Sequence, residues 1–380
     1  MRRMRRSCAV LCLLLACAHV QPAAAPTALE LVETAPVETS LDHPDLADAW
    51  QVWPAMIAQA KERLDLNEFY LANNPGSRLE PVVQAVLEAV RRGVQVRLLC
   101  EEKFYKTYPE TIDRLGAGGV AVRRFDAKQL FGGGVLHAKY FVVDDREAFL
   151  GSQNFDWRSL EHIQELGVRT QAAHVVKGLH AIFEMDWALA GGAELSAQSI
   201  EQPSWLILAA SPKGHLPDGV PWELQLLMER IGAAKSSVRV QLLTYKSAPD
   251  FRELEEALVA AAGRGVRVQL LLSNWVLRPW TLEPLRKLDP RVEVRILTIP
   301  EAKAGHIPFA RVAHAKYMVV DGAHAWIGTS NWERDYFFTS RNVSVFTDAP
   351  RLERFFDDAW GSEYAKPFDR AGQYTPPKTD

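Results

Sequence analysis

Only four of the 380 residues are cysteine, and two of these, Cys8 and Cys12, sit in the first dozen positions. A cleaved leader takes both away and leaves Cys100 and Cys17, too few for a disulfide framework. Cys100 closes the apolar run Val94–Cys100 and reads as a small core residue. The apolar run Cys8–Ala18 is too short to span a bilayer. Positive charge is also scarce. The chain carries net charge −3, and losing Arg2, Arg3, Arg5 and Arg6 leaves 40 basic against 47 acidic residues, or about −7. A chain that coats long nucleic acid is usually basic, so any such contact is confined to a cleft. A phosphate-cradling P-loop is missing too. Gly132-Gly133-Gly134 lacks the following Lys-Ser/Thr and reads as a mobile lip.

Those four arginines, followed by Cys8–Ala18, have the basic and apolar regions of a signal peptide over residues 1–17. Leu14-Leu15-Ala16-Cys17 resembles a lipoprotein cleavage box, which would leave Cys17 lipidated and anchored to a membrane; Ala16-Cys17-Ala18 also fits ordinary cleavage. Either way the chain is expected to be exported. The destination is the periplasm or outer membrane if the source is bacterial, and the secretory route otherwise. Residues 18–45, with Pro22, Pro26, Pro36 and Pro44, read as a linker.

Two stretches carry the chemistry. Leu136-His-Ala-Lys-Tyr-Phe-Val-Val-Asp144 and Ala313-His-Ala-Lys-Tyr-Met-Val-Val-Asp321 both read His-x-Lys, four residues, Asp. Each is followed by a Gly/Ser/Asn turn, with His137 to Asn154 and His314 to Asn331 both 17 positions. One such match is expected by chance in roughly a few per cent of chains this long. Two, with equal turn offsets, are not coincidence. Tyr140–Val143 and Tyr317–Val320 have strand composition, so His137 and Lys139 share a face, as do His314 and Lys316. Asp144 and Asp321 have the opposite parity and are expected to hold a strand end or loop.

Strand–helix–strand alternation surrounds each motif, and Arg91-Arg92-Gly93-Val94-Gln95-Val96 is matched by Gly263-Arg264-Gly265-Val266-Arg267-Val268. The chain therefore reads as an α/β duplication with an offset near 175 residues, residues 46–200 against 201–368, with a tail at 369–380. A neutral imidazole can attack phosphorus while a second protonates the leaving oxygen. Lys139, Lys316, Asn154 and Asn331 can neutralise the non-bridging oxygens. Carboxylate clusters and His-rich ligand sets are absent beside the motifs, so neither a metal nor another cofactor is expected.

The double His-x-Lys-x4-Asp signature resembles the phospholipase D superfamily. The resemblance implies two mixed sheets packed together, with one active site at a pseudo-twofold seam. Asn154-Phe-Asp-Trp-Arg-Ser-Leu160, Gln164-Glu165-Leu166 and Ile307-Pro-Phe-Ala-Arg311 look like its lysosomal 5′-exonuclease branch and poxviral envelope relatives. In the family, an acid near the offset of Glu165, 28 positions after His137, orients the nucleophilic histidine. The matching position after His314 is Asn342, so the resemblance casts His137 as nucleophile and His314 as general acid. Tyr70, Trp157, Arg158, Trp275, Arg311 and Trp332 are candidates to meet substrate.

The implied function is a metal-independent phosphodiesterase acting on single-stranded nucleic acid from the 5′ end, through a phosphohistidine. A phospholipid hydrolase or phosphatidyl transferase, such as a phospholipase D or cardiolipin synthase, is the alternative, since the same residues serve both. A membrane-associated scaffold of the same fold is a third; the intact His137, Lys139, His314 and Lys316 argue against it. No obligate protein partner is expected.

Overall fold

The computed structural model describes residues 29–196, 199–348 and 351–378. The leader and Cys17 lie outside the described residues, and with them the signal-peptide and lipoprotein expectations. Among the described residues no helix is long and apolar enough to cross a membrane.

The four-residue strands Tyr140–Val143 and Tyr317–Val320 are buried on both faces, which is why their sequences are continuously apolar rather than alternating. Around each grows an eight-stranded mixed sheet. From edge to edge the first runs Ala47–Asp48, Leu29–Thr34, Glu165–Thr170, Glu147–Gly151, Tyr140–Val143, Arg63–Glu68, Gln95–Glu101 and Ala121–Phe125. The second runs Leu206–Ser211, Asn342–Asp348, His324–Gly328, Tyr317–Val320, Ser237–Leu242, Arg267–Ser273, Val292–Leu297 and Ala365–Pro367. In each, three consecutive strands on the far side of the motif strand are parallel and joined by helices; the remaining neighbours are antiparallel, except that Leu29–Thr34 runs parallel to Ala47–Asp48.

The sheets pack face to face. Tyr140, Val142, Leu150, Leu166 and Val168 of one share a core with Tyr317, Val319, Ile327, Val343 and Val345 of the other. Helices Ala49–Ala58 and Glu80–Arg91 cover the outer face of the first sheet, burying Trp53, Met56, Val82 and Val86. Glu223–Ala233 and Glu253–Gly263 do the same for the second with Leu224, Leu227 and Leu258. Each such side chain contributes about 1.5–3 kcal/mol through the water it sheds.

Two expectations need correcting, and a third element, the tail, is more ordered than its composition alone conveys. Residues 18–45 are not simply a linker, because Leu29–Thr34 pairs along its length with Glu165–Thr170. Its Leu-Glu-Leu-Val-Glu-Thr alternation is a strand signal that the neighbouring prolines obscured. The tail is not free either. Phe368 stacks on Tyr374 at 5.5 Å, and Arg370 donates to the closing carbonyls of helix Pro279–Lys287 and the residues just beyond it, where the helix dipole favours a cation. Finally, the lip at Gly132-Gly133-Gly134 is clamped at the seam. Gly134 has φ +68°, and a Cβ there would sit 2.3 Å from the Thr339 carbonyl oxygen, so only glycine fits.

Asp144 and Asp321 face away from the chemistry. Asp144 accepts from the amides of Lys61, Glu62 and Arg63 at 2.8–2.9 Å, and Asp321 from those of Lys235, Ser236 and Ser237. Burial opposes the charge on Asp321, yet the three amides hold its pKa down to about 2. Each motif aspartate thus ties the end of its strand to the start of the next.

At the seam Arg341 and Asp186, both 0% exposed, form a bidentate pair at 2.7–2.9 Å, with a further Arg341 bond to the Ser211 carbonyl. Removing one partner leaves a buried charge alone. Asp186→Ala is expected to lower unfolding stability by about 3–5 kcal/mol, read by urea denaturation against the unmodified chain.

Candidate active site

The motif histidines lie just before their strands, in extended chain that crosses between the halves. The Arg341 carbonyl accepts from the His137 amide at 2.9 Å, and the Gln164 carbonyl accepts from the His314 amide at 2.8 Å. The same backbone bridges pair Leu136 with Arg341 and Ala313 with Gln164. The residues that follow these bridging positions, Asn342 and Glu165, are thereby aimed at the motif of the opposite half.

This overturns the expected pairing. Glu165 is not the partner of His137. Its Oε2 lies 2.8 Å from Nδ1 of His314, whereas Nδ1 of His137 meets Oδ1 of Asn342 at 3.1 Å. Both contacts cross the pseudo-twofold. Equal offsets along the chain survive duplication, but they do not say which half a side chain faces. Asn342 is held by Thr329 Oγ1 donating to Oδ1 at 2.8 Å and by its own Nδ2 donating to the Tyr336 carbonyl at 2.7 Å. That fixes the amide orientation. Nδ1–H of each ring therefore donates, leaving both Nε2 atoms for the cleft. Glu165 in turn accepts from Ser152 Oγ at 2.6 Å and Ser159 Oγ at 2.7 Å.

Lys139 and Lys316, 1% and 0% exposed, each donate at 2.5 Å to the carbonyl of the histidine two residues earlier. Both lysines act on both imidazoles, so the motifs converge on one point. Burial first, and then the nearby ammonium groups, holds His137 and His314 well below the usual histidine range, as neutral rings. Burial lowers Lys316 to about 7, with Glu165 opposing the shift. Burial raises Glu165 to about 7, with Lys316 opposing it. Burial raises Glu68, 2% exposed, well above the usual carboxylate range, with the nearby Lys139 opposing the shift. Asn154 and Asn331 are buried at matching positions, and Oδ1 of each has no hydrogen-bond partner among the described residues.

The substrate candidates divide. Tyr70 belongs to the site: its hydroxyl accepts from Asn154 Nδ2 at 3.4 Å and donates to Asp156 at 2.8 Å. Trp332 does not, being 0% exposed in the outer core of the second sheet. Trp157 packs on the outer core of the first. Arg158 is paired with Asp156 at 2.6 Å and donates to the Pro308 carbonyl, while Arg311 donates to the Pro300 and Val37 carbonyls. These two arginines hold the loop before the second motif rather than waiting for a terminal phosphate. Trp275 stands further out, 6.3 Å from Phe309.

Sequence reasoning missed Ser152, Ser159, Thr329 and Asn342 as orienting partners, although the matched places of Ser152 and Thr329 after their motifs were a usable signal. It also missed an aromatic wall. Phe69 lies 4.9 Å and Tyr336 4.8 Å from the His137 ring, and Tyr70 stacks on Phe104 at 5.7 Å and Tyr108 at 5.1 Å. Among the described residues one His/Asp/Glu group, Asp65, His180 and Glu184, has metal-ligand spacing. Its carboxylates are already taken by Arg97 at 2.6–3.0 Å.

A family profile described as "Cardiolipin synthase, PLD-like domain" matches residues 54–187 and again 227–360. The chain belongs to the phospholipase D-like family. It is a duplicated phosphodiesterase of that superfamily. Phospholipase D Z of Dictyostelium discoideum is 30% identical, over 89% of this chain and 90% of its own. The 5'-3' exonuclease PLD3 of Homo sapiens is 30% identical over 90% of this chain and 81% of its own. Among solved structures, phosphatidylserine synthase of Haemophilus influenzae superposes with TM-score 0.62 at 13% identity, over 84% of this chain and 85% of that one, a likeness of fold.

The Lys316–Glu165 couple predicts a pH profile. Lys316 carries charge below about 7, and Glu165 carries charge above about 7. The state with both charged is fullest between, so kcat/KM on a small phosphodiester should be bell-shaped and centred near neutrality. Glu165→Gln should remove the acidic limb and keep the alkaline one. An unchanged acidic limb in that variant would detach it from Glu165.

Proposed function

We propose that this chain hydrolyses single-stranded nucleic acid from the 5′ end without a metal, and that His314 is the nucleophile. The observation that carries the division of labour is the 2.8 Å contact between Glu165 and Nδ1 of His314. A carboxylate there stabilises the cation that forms as Nε2 attacks phosphorus. The neutral Asn342 orients His137 without stabilising its protonated form, which suits a proton donor. The P–N bond to His314 forms as the P–O bond to the leaving group breaks. With the anionic phosphodiester bound, His137 takes a proton from solvent onto Nε2 beside the one on Nδ1; it gives that Nε2 proton to the leaving oxygen, then takes one from the water that opens the phosphohistidine. Lys139, Lys316 and the amides of Asn154 and Asn331 hold the non-bridging oxygens.

Nucleic acid is favoured over lipid by the aromatic wall beside His137, since unpaired bases stack on such faces, and by the exonuclease relatives. A phospholipid reading draws on Phospholipase D Z and on the family description. The deciding assay incubates the protein in excess chelator with 5′-hydroxyl oligonucleotides and, separately, with phospholipid vesicles. Stepwise shortening from the 5′ end is expected, with duplex and circular DNA resistant. Headgroup release with oligonucleotides untouched would favour the lipid reading, and activity lost to chelator but restored by magnesium or zinc would overturn the metal-free mechanism.

The histidine roles are tested with a substrate whose activated leaving group needs no proton. His137→Ala should become labelled with phosphorus at His314, and His314→Ala should not become labelled. Labelling of His314→Ala at His137 would reverse the assignment.

A further inference from the structure

Beyond the wall at His137, rings and guanidinium groups continue outward in unbroken contact. Arg158 lies 5.6 Å from the Tyr108 ring and 5.9 Å from that of Phe309. Phe309 is 6.3 Å from Trp275, which carries the Arg278 guanidinium at 4.3 Å; Arg278 is in turn 5.7 Å from Trp280.

Three features of this outer stretch lack a structural reason. Phe309 and Trp280 are 44% and 58% exposed, two of the four large hydrophobic side chains left open among the described residues. Phe309 is held at φ +59°, a strained conformation for a bulky residue. Arg158 and Arg311 fix the loop around it by donating to the Pro308, Pro300 and Val37 carbonyls, so the ring is presented rather than left loose. Arg278 has only indoles for company. Its Nε and Nη2 atoms are buried without a hydrogen-bond partner, and no carboxylate forms an ion pair with it among the described residues. Burial lowers its pKa from the ordinary arginine value, with no acid to offset the shift. The turn Asn274–Leu277 buries Val276 and Leu277 and leaves Trp275 and Arg278 for the surface.

We propose that Phe309, Trp275, Arg278 and Trp280 form an outer subsite for the part of a single strand that lies 3′ of the scissile phosphate. Bases stack on the three rings, and the unpaired guanidinium takes a backbone phosphate. Rings interrupted by a cation match the alternation of base and phosphate in a single strand, and aromatic stacking tolerates any base. This rests on the nucleic-acid reading given above.

The test compares kcat/KM on a 5′-hydroxyl dinucleotide, on a long 5′-hydroxyl oligothymidylate and on a small chromogenic phosphodiester. The unmodified chain should favour the long strand over the dinucleotide. Trp280→Ala and Arg278→Ala should each cut that preference by about five- to a hundredfold, the range for losing one stacked base or its phosphate partner. Arg278→Ala should also lower the salt slope of binding by about 0.7. Trp280 is exposed, so Trp280→Ala leaves the fold intact; Trp205→Ala, exposed to a similar degree, should leave the preference unchanged. A length preference that both variants retain would overturn the subsite. Loss of vesicle binding in the variants with the preference intact would assign this face to lipid and overturn it equally. Failure of the unmodified chain to cut oligonucleotides while it cleaves the small diester would remove the nucleic-acid reading itself, and the subsite with it.

Discussion

Each catalytic imidazole is held by the other half of the molecule. Glu165 reaches His314 and Asn342 reaches His137, and these two contacts make the docking of the sheets a condition of chemistry. A single half folded alone would keep its His and Lys but lose the acceptor that fixes the ring, its tautomer and its direction. The backbone bridges from Gln164 to Ala313 and from Arg341 to Leu136 set the register of this exchange. The buried Arg341–Asp186 pair anchors one of those bridges, so an electrostatic contact well inside the core helps decide where Asn342 points.

Symmetry builds the site and its breaking assigns the roles. The halves share motif, turn and capping aspartate, and they hold their lysines in the same way. Among their differences, one pair of matched positions beside the rings sets a carboxylate against an amide. In a pocket where both lysines already disfavour a further positive charge, the carboxylate favours the cationic form of His314 over that of His137, which is what the proposed roles use. Glu165 is itself raised to about 7 by burial, so its charge is conditional on Lys316. In the proposed mechanism the nucleophile is consequently tuned by a couple rather than by a single residue.

The sequence named the motif residues that the structure brings together, but not how they are wired. His137, Lys139, Asn154 and their second-half counterparts were legible because motif spacing and strand parity are local properties. The α/β duplication and most element positions were legible for the same reason; Tyr140–Val143 and Tyr317–Val320 appear where composition placed them. What failed was the inference of which half or layer a side chain faces. The family resemblance pairs Glu165 with His137 through an offset along the chain, and an offset does not say which half a side chain faces. Trp332 looked like a cleft residue because it follows Asn331, yet adjacent residues on extended chain point to opposite sides, and it fills the outer core. Leu29–Thr34 was hidden by flanking prolines, although its strand partner lies more than a hundred residues on.

The aromatic wall shows why some of the site could not be read at all. Phe69, Tyr108 and Tyr336 come from three distant segments, and none has a spacing that sets it apart from a core aromatic. Only packing distinguishes them. Trp53 and Trp326 sit wholly inside, whereas these rings are half-buried and two of them line a catalytic imidazole. A half-buried ring keeps one face unsatisfied, and one beside a phosphoryl-transfer centre is placed to meet whatever carries the phosphate. Apolar area with an orientation fits a flat base better than a flexible acyl chain, which needs a groove rather than a succession of ring faces. On the proposed nucleic-acid reading, the stability lost by leaving these rings unburied is the physical trace of the substrate class.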